Sequence, residues 1–104
     1  MARLITSQDH LDETIVAEKQ AACDYDVLVS PEFVIDGETF QVVIDGHHSL
    51  AAAIADAVQP EILIATKQDC DAIALLDSGN AQAFLEAVYH GHDYRDAITG
   101  EFIW

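Results

Sequence analysis

The sequence predicts a small domain of the α/β (α+β) class, centred on a strand that turns sharply into a helix. Residues 40–44 form a short β-branched run typical of a buried strand, and residues 49–58 are alanine-rich with apolar side chains at helical spacing. The hydrophobic period changes at Asp45-Gly46, where Gly46 can adopt the positive φ that such a turn needs. We therefore expect a strand, a tight turn and a helix at this point of the chain.

A first helix is expected near the amino terminus. Residues 6–9 supply side chains suited to an N-cap, and Leu11 and Ile15 lie at helical spacing on an apolar side. Lys19 and neighbouring acids would form the solvated side of this helix, which would reach about Gln20.

Extended segments and a hairpin are expected between this helix and the central turn. Residues 27–30 predict a strand that Pro31 ends, and residues 32–35 predict a second extended piece. The Asp36-Gly37 pair is typical of a two-residue hairpin turn, which would lead into the central strand.

The carboxyl-terminal half adds one strand and two helices to the prediction. Pro60 would end the central helix, residues 61–66 would form the next strand, and this strand-helix-strand order favours a right-handed crossover. Residues 69–76 predict a further helix, and Asn80 is a candidate N-cap for a last helix that Gly91 would end.

The central turn carries the run Asp45-Gly46-His47-His48-Ser49 followed by alanines, which resembles the motif of the ParB N-terminal domain and sulfiredoxin superfamily. Many relatives have Asp-Gly-His-His-Arg at these positions, and the likeness extends over about residues 25–66. The resemblance implies a small mixed sheet with flanking helices and a phosphate or nucleotide site at these five residues.

Two positions depart from the family's pattern. Ser49 stands where those relatives have the Arg that is expected to grip phosphate, and His47 stands where sulfiredoxins have their nucleophilic Cys. A hydroxyl cannot replace the bidentate, charged fork of an Arg, so we expect a degenerate nucleotide site.

Enzymatic chemistry at this turn would need a carboxylate and Mg²⁺ beside the phosphate. Candidates are Glu32, Asp36, Asp45 and His48, although an Asp before a Gly more commonly forms the turn itself. Because residues 40–66 contain no Lys or Arg, a triphosphate would meet no nearby cation there. We therefore expect no catalytic residue and no cofactor, while the turn amides could still bind a small anion.

The histidines raise the possibility of a metal site. His47-His48 and His90-x-His92 each lie beside an aspartate, and imidazole with carboxylate suits Zn, Ni or Fe. Adjacent side chains seldom point at one ion, however, and two distant segments would have to meet. The preferred interpretation is that one histidine caps or hydrogen-bonds the turn and the others are exposed, and no metal is expected.

Negative charge is the second strong feature of the sequence. The 104 residues contain 19 Asp and Glu against four Lys and Arg, for a net charge of −15, and 51% of the residues are hydrophobic. The acids are spread along the chain, which indicates one folded acidic domain over residues 1–104 and not a disordered tail. Such a surface repels nucleic acid and anionic membranes, and solubility alone would also explain it.

Several features predict a cytoplasmic protein. The amino terminus has no basic-then-apolar signal pattern, and no run approaches the roughly 20 apolar residues that span a bilayer. Cys23 and Cys70 are isolated in the sequence, so two reduced thiols are expected.

These observations favour a non-enzymatic protein-binding module whose acidic surface occupies a basic, nucleic-acid-handling protein, as a DNA mimic or an anti-defence inhibitor from a mobile element would. Two alternatives stay open: a nucleotide-binding or phosphotransfer enzyme of the resembled superfamily, and an antitoxin or accessory subunit.

Trp104, the only Trp, would either plug the core or anchor a partner. The candidate partner-binding residues are Asp9, Asp12, Glu13, Asp69, Asp71, Asp93, Asp96 and Trp104.

Overall fold

A mixed six-stranded sheet with helices packed against it confirms the expected fold class. The computed structural model describes residues 2–8, 11–89 and 93–104. In chain order the elements are β1 (Arg3–Thr6), α1 (Glu13–Ala22), β2 (Asp26–Val29), β3 (Phe33–Ile35), β4 (Glu38–Asp45), α2 (His47–Ala55), β5 (Glu61–Ile64), α3 (Ile73–Asp77), α4 (Ala81–Ala87) and β6 (Arg95–Asp96).

β4 lies at the centre of the sheet, whose order is β5-β2-β4-β1-β6 with β3 paired to β4. β1 runs parallel to β4, β2 and β3 run antiparallel to it, and β5 runs parallel to β2. The hairpin at Asp36-Gly37 is confirmed, because Ile35 pairs with Glu38 and both turn residues have positive φ, 52° and 81°. Those dihedral angles match the twist of the strands that the turn joins.

The expected right-handed crossover from β4 to β5 is wrong. β5 lies two strands from β4 and runs in the opposite direction, because it is parallel to β2 while β2 is antiparallel to β4. The Glu61 N–H donates to the Tyr25 carbonyl at 2.9 Å, which starts the parallel β2–β5 ladder. The chain therefore passes from the centre of the sheet to its edge.

The expected beginning of the first helix is also wrong. Residues 3–6 form β1, and Thr6 is a buried strand residue and not a helix cap. α1 begins only at Glu13, where the Asp12 carboxylate accepts bonds from two first-turn N–H groups. β1 is four residues long and depends on pairing with distant β4, a contact that no local pattern reveals.

The remaining helices are shorter than expected. α2 ends at Ala55, and Ala57 with a φ of 55° takes the chain out of the helix before Pro60 is reached. α3 has five residues, while Asn80 caps α4 as expected by accepting a bond from the Ala83 N–H. Gly91, the expected end of α4, lies outside the described residues.

Apolar side chains pack in two clusters. The larger one joins β1, β3 and β4 to α3 and α4 through residues such as Ile5, Phe40 and Phe84. The smaller one packs Leu50 of α2 against valines of β2 and β4. α1 has no buried residue and contacts α2, so it forms an outer layer on that helix.

Asp96 holds the last strand to the first. Its carboxylate accepts bonds from Arg3 Nε at 2.8 Å and from the backbone N–H groups of Ile98 and Thr99 at 2.8 and 2.9 Å, and the residue is only 9% exposed. Burial by itself would raise the pKa of Asp96, but the bonds from two N–H groups and the guanidinium outweigh it and lower the pKa.

We expect Asp96→Asn to lower the free energy of unfolding by about 1–3 kcal/mol, because Arg3 loses the nearest and most buried of its three carboxylate acceptors. A carboxylate whose pKa is lowered by folding stabilises the folded state fully at pH values above its unfolded-state pKa of about 3.9. This stabilisation is lost as the pH falls through the folded-state pKa. Urea unfolding between pH 2 and 7 should therefore show that the variant loses less of its free energy of unfolding at acid pH than the unmodified protein does. Asp71→Asn, at an exposed acid, is the matched control, and an equal effect of the two changes would contradict this role.

Candidate functional site

The strand-turn-helix motif is confirmed at the expected residues. β4 ends at Asp45, Gly46 has a φ of 93°, and α2 begins at His47. Asp45 acts as the expected turn former, because its carboxylate accepts the Gly46 N–H at 2.8 Å. The Leu50 N–H donates to the Gly46 carbonyl at 2.8 Å and closes the first turn of α2.

Gly46 is required for a second reason besides its dihedral angles. A Cβ at this position would lie 2.6 Å from the Asp26 carbonyl oxygen and 3.0 Å from Val27 Cα. Both of those atoms belong to the backbone of β2 and cannot rotate away. The backbone of the turn therefore lies in direct contact with the first residues of β2.

A cleft of about 500 Å³ opens beside this turn, and we call it the turn cleft. Three carboxylates and one ammonium group contribute to its wall, together with the Gly46 backbone and several apolar side chains. It is lined by Ile15, Lys19, Asp24, Asp26, Leu28, Asp45, Gly46, His48, Ser49 and Leu63.

Lys19 brings a cation to the turn cleft, which sequence reasoning missed by assigning it to the solvated side of α1. Its Nζ donates to the Asp24 carboxylate at 2.9 Å, and this bond holds the pKa of the Asp24 carboxyl below its ordinary value. The same bond raises the pKa of Lys19. The cation is therefore neutralised inside the cleft, and the remaining carboxylates leave the wall negative.

Ser49 faces the same aspartate. Its hydroxyl donates to Asp24 Oδ1 at 3.3 Å, and the residue is 2% exposed. The position at which the resembled family has Arg thus carries a buried hydroxyl turned towards a carboxylate. This arrangement offers an anion no positive charge.

The two histidines of the motif point in different directions. His47 Nε2 lies 2.8 Å from the Thr6 hydroxyl at the end of β1, whereas His48 Nε2 accepts the Asp12 N–H at 3.2 Å. They tie α2 to β1 and to the start of α1, so both motif histidines form hydrogen bonds and both are half-buried. The expectation that only one histidine would bond and the others would be exposed is wrong for this pair. No group of three potential ligands that could hold a metal occurs among the described residues, and His90 and His92 lie outside them.

The other candidates for chemistry stay away from the turn. Glu32 and Asp36 do not line the turn cleft and belong to the β2–β3 connection and the β3–β4 hairpin. Cys23 and Cys70 are both free thiols. The structure thus brings together Asp45, Gly46, His48 and Ser49 of the expected site, while His47 points to the end of β1.

The acids expected to bind a partner fall into two groups. The carboxylates of Asp12, Asp69 and Asp96 accept bonds from nearby backbone N–H groups, so they shape the fold locally. The side chains without such a structural role are exposed, namely Glu13, Asp71 and Asp93. Asp9 lies outside the described residues.

Trp104 combines the two roles considered for it. Its ring lies 5.0 Å from the Phe40 ring and 6.0 Å from the Tyr94 ring, so one side packs on the core. The residue is still 37% exposed, which leaves part of the ring accessible to another molecule.

All four basic side chains are engaged within the chain. Arg3 pairs with Asp96 and two further acids, Lys19 pairs with Asp24, and Lys67 pairs with Asp77 at 3.2 Å. The Arg95 guanidinium donates to the Gln8 carbonyl. The described surface therefore has no cluster of unpaired cations.

Comparison of the chain with protein-family models, curated proteins and solved structures gave no match. Within the part of the chain that the structure describes, no helix has the length and apolar character needed to cross a membrane.

We expect Gly46→Ala to destabilise the fold more than Gly79→Ala, which is the matched control. Both glycines have positive φ, 93° and 80°, so either change costs about 1–2 kcal/mol for the left-handed backbone. Only at Gly46 would the added Cβ also meet the backbone of β2, and no atom lies within 4 Å at Gly79. Equal changes in the free energy of urea unfolding would show that the close contact with β2 is unimportant.

Proposed function

We propose that this protein is a non-enzymatic binding module whose acidic surface occupies a basic, nucleic-acid-handling protein. The observation that carries the proposal is the engagement of all four basic side chains within the chain while the net charge is −15. The outward field is therefore negative, as it is around a nucleic acid. Such a field steers a basic partner to the surface and repels DNA, RNA and anionic lipid.

The distribution of exposed carboxylates supports this proposal. Glu13, Asp71 and Asp93 come from three separate parts of the chain and are not held by backbone N–H groups. Exposed carboxylates that no other described residue binds keep their charge available for Lys and Arg of another protein. The three residues are therefore the best positions at which to change the surface without changing the fold.

A nucleotide-binding or phosphotransfer role on a ParB/sulfiredoxin-like scaffold is the second candidate. It is favoured by Gly46, whose positive φ leads into the first turn of α2, where no side chain caps the N–H groups. The turn cleft opposes it, since Asp24, Asp26 and Asp45 line the wall and Lys19 is already paired. One unit charge at 4 Å is worth about 4 kcal/mol at an effective dielectric constant near 20, so this lining disfavours a triphosphate.

A cytoplasmic location belongs to the same proposal. Two free cysteines support it, because exposed thiols persist where the environment is reducing. A partner that handles nucleic acid would be present in the same compartment.

The proposal predicts a salt-sensitive complex that excludes DNA. A partner recovered at low salt should dissociate as the ionic strength rises past the physiological range, where the Debye length is about 8 Å, and duplex DNA should compete for it. The triple variant Glu13→Lys, Asp71→Lys, Asp93→Lys should weaken binding by at least tenfold, measured by the dissociation constant.

The neutral triple Glu13→Gln, Asp71→Asn, Asp93→Asn is the matched control. Because it removes the charges without reversing them, it should have about half the effect of the reversal on the binding free energy. A partner that holds DNA and this protein at the same time would contradict the proposal. So would an affinity that the charge reversal leaves unchanged.

A further inference from the structure

β5 is a sheet edge with exposed apolar side chains. All four of its residues are exposed, and Ile62, Leu63 and Ile64 are 38%, 44% and 53% exposed. Edge strands of stable proteins are commonly protected by charge, proline, a bulge or a covering element. Within β5 the single such feature is Glu61, so the strand is open to pairing.

The backbone of β5 is satisfied on one side only. The N–H groups of Glu61 and Ala65 donate to the carbonyls of Tyr25 and Val29, at 2.9 and 2.7 Å. Because donors alternate along a parallel ladder, the N–H and C=O groups of Ile62 and Ile64 face away from β2. No described strand pairs with that outer side.

The surroundings of this edge are acidic. Glu61 pairs in register with Asp26, and Leu63 lines the turn cleft next to Asp26 and Asp45. No described Lys or Arg forms an ion pair with any of these three acids. A strand that arrives here meets an apolar surface bordered by the exposed carboxylates of Asp26, Asp45 and Glu61.

We propose that the free edge of β5 receives an extended segment of the basic partner as an added strand. Backbone hydrogen bonds would form with Ile62 and Ile64, apolar side chains would cover the exposed isoleucines, and Lys or Arg would approach Asp26 and Glu61. A second copy of this chain is disfavoured as the occupant, because it would bring a further charge of −15 to an acidic edge. This inference rests on the proposed function and assigns the place where the partner docks.

The test uses a short peptide in which Lys or Arg alternates with Val, titrated into the full chain by calorimetry. Its control is the same peptide with a methylated backbone, which keeps every side chain and charge but cannot add to a strand edge. We expect the control to bind at least tenfold more weakly. Equal binding of the two peptides would overturn strand addition.

Variants of the chain locate the site. Ile64→Pro removes an outward donor without touching the β2–β5 ladder and should weaken peptide binding by at least tenfold. Val34→Pro, at an exposed residue of β3, is the matched control and should leave the affinity unchanged. Equal losses in both variants, or no loss in either, would overturn the assignment to β5. Sedimentation of the chain alone tests the choice of occupant. A dimer that forms in the unmodified chain and is absent in Ile64→Pro would overturn that choice.

The two proposals fail in different ways. A recovered partner that DNA displaces but that binds Ile64→Pro normally would refute docking at β5 and leave the proposed function in place. A partner that binds through β5 together with DNA would refute the proposed function and leave the edge as a strand-addition site.

Discussion

The contact between Gly46 and the backbone of β2 is the constraint on which the rest of the structure depends. The turn lies so close to the Asp26 carbonyl that a Cβ would be 2.6 Å from its oxygen. Because of this contact, α2 begins directly over the start of β2. The same residue, Asp26, pairs with Glu61, the first residue of β5. The helix, the turn cleft and the edge strand therefore meet at the contact between Gly46 and the start of β2.

The sequence predicted those parts of the fold that depend on neighbouring residues. The period change at Gly46, the hairpin at Asp36-Gly37 and the cap at Asn80 each follow from local dihedral or hydrogen-bonding preferences. β1 was missed, because a four-residue strand is specified by its pairing with β4, which lies far along the chain. The crossover to β5 was wrong for the same kind of reason, since strand order is a property of the whole sheet.

The candidate site was predictable in its backbone and not in its charge. Asp45, Gly46 and Ser49 lie where the motif predicts them, and Ser49 faces a carboxylate. Lys19 and Asp24 enter from α1 and from the segment that follows it, and nothing in the sequence indicates that they meet at the turn. Their pairing decides the chemistry, because it removes the one cation that an anionic ligand could use. The strand-turn-helix junction is thereby lined by three carboxylates and by a cation that is already paired.

Whether the turn cleft prefers an anion or a cation can be measured at the turn itself. The most direct measurement follows the amide resonances of Gly46, His48 and Ser49 by NMR while either MgATP or methylguanidinium is titrated into the protein. Methylguanidinium should shift these resonances in a saturable way, and millimolar MgATP should not. Saturable shifts with MgATP, and none with the cation, would contradict the claim that the acidic groups around the turn favour a basic partner over a nucleotide.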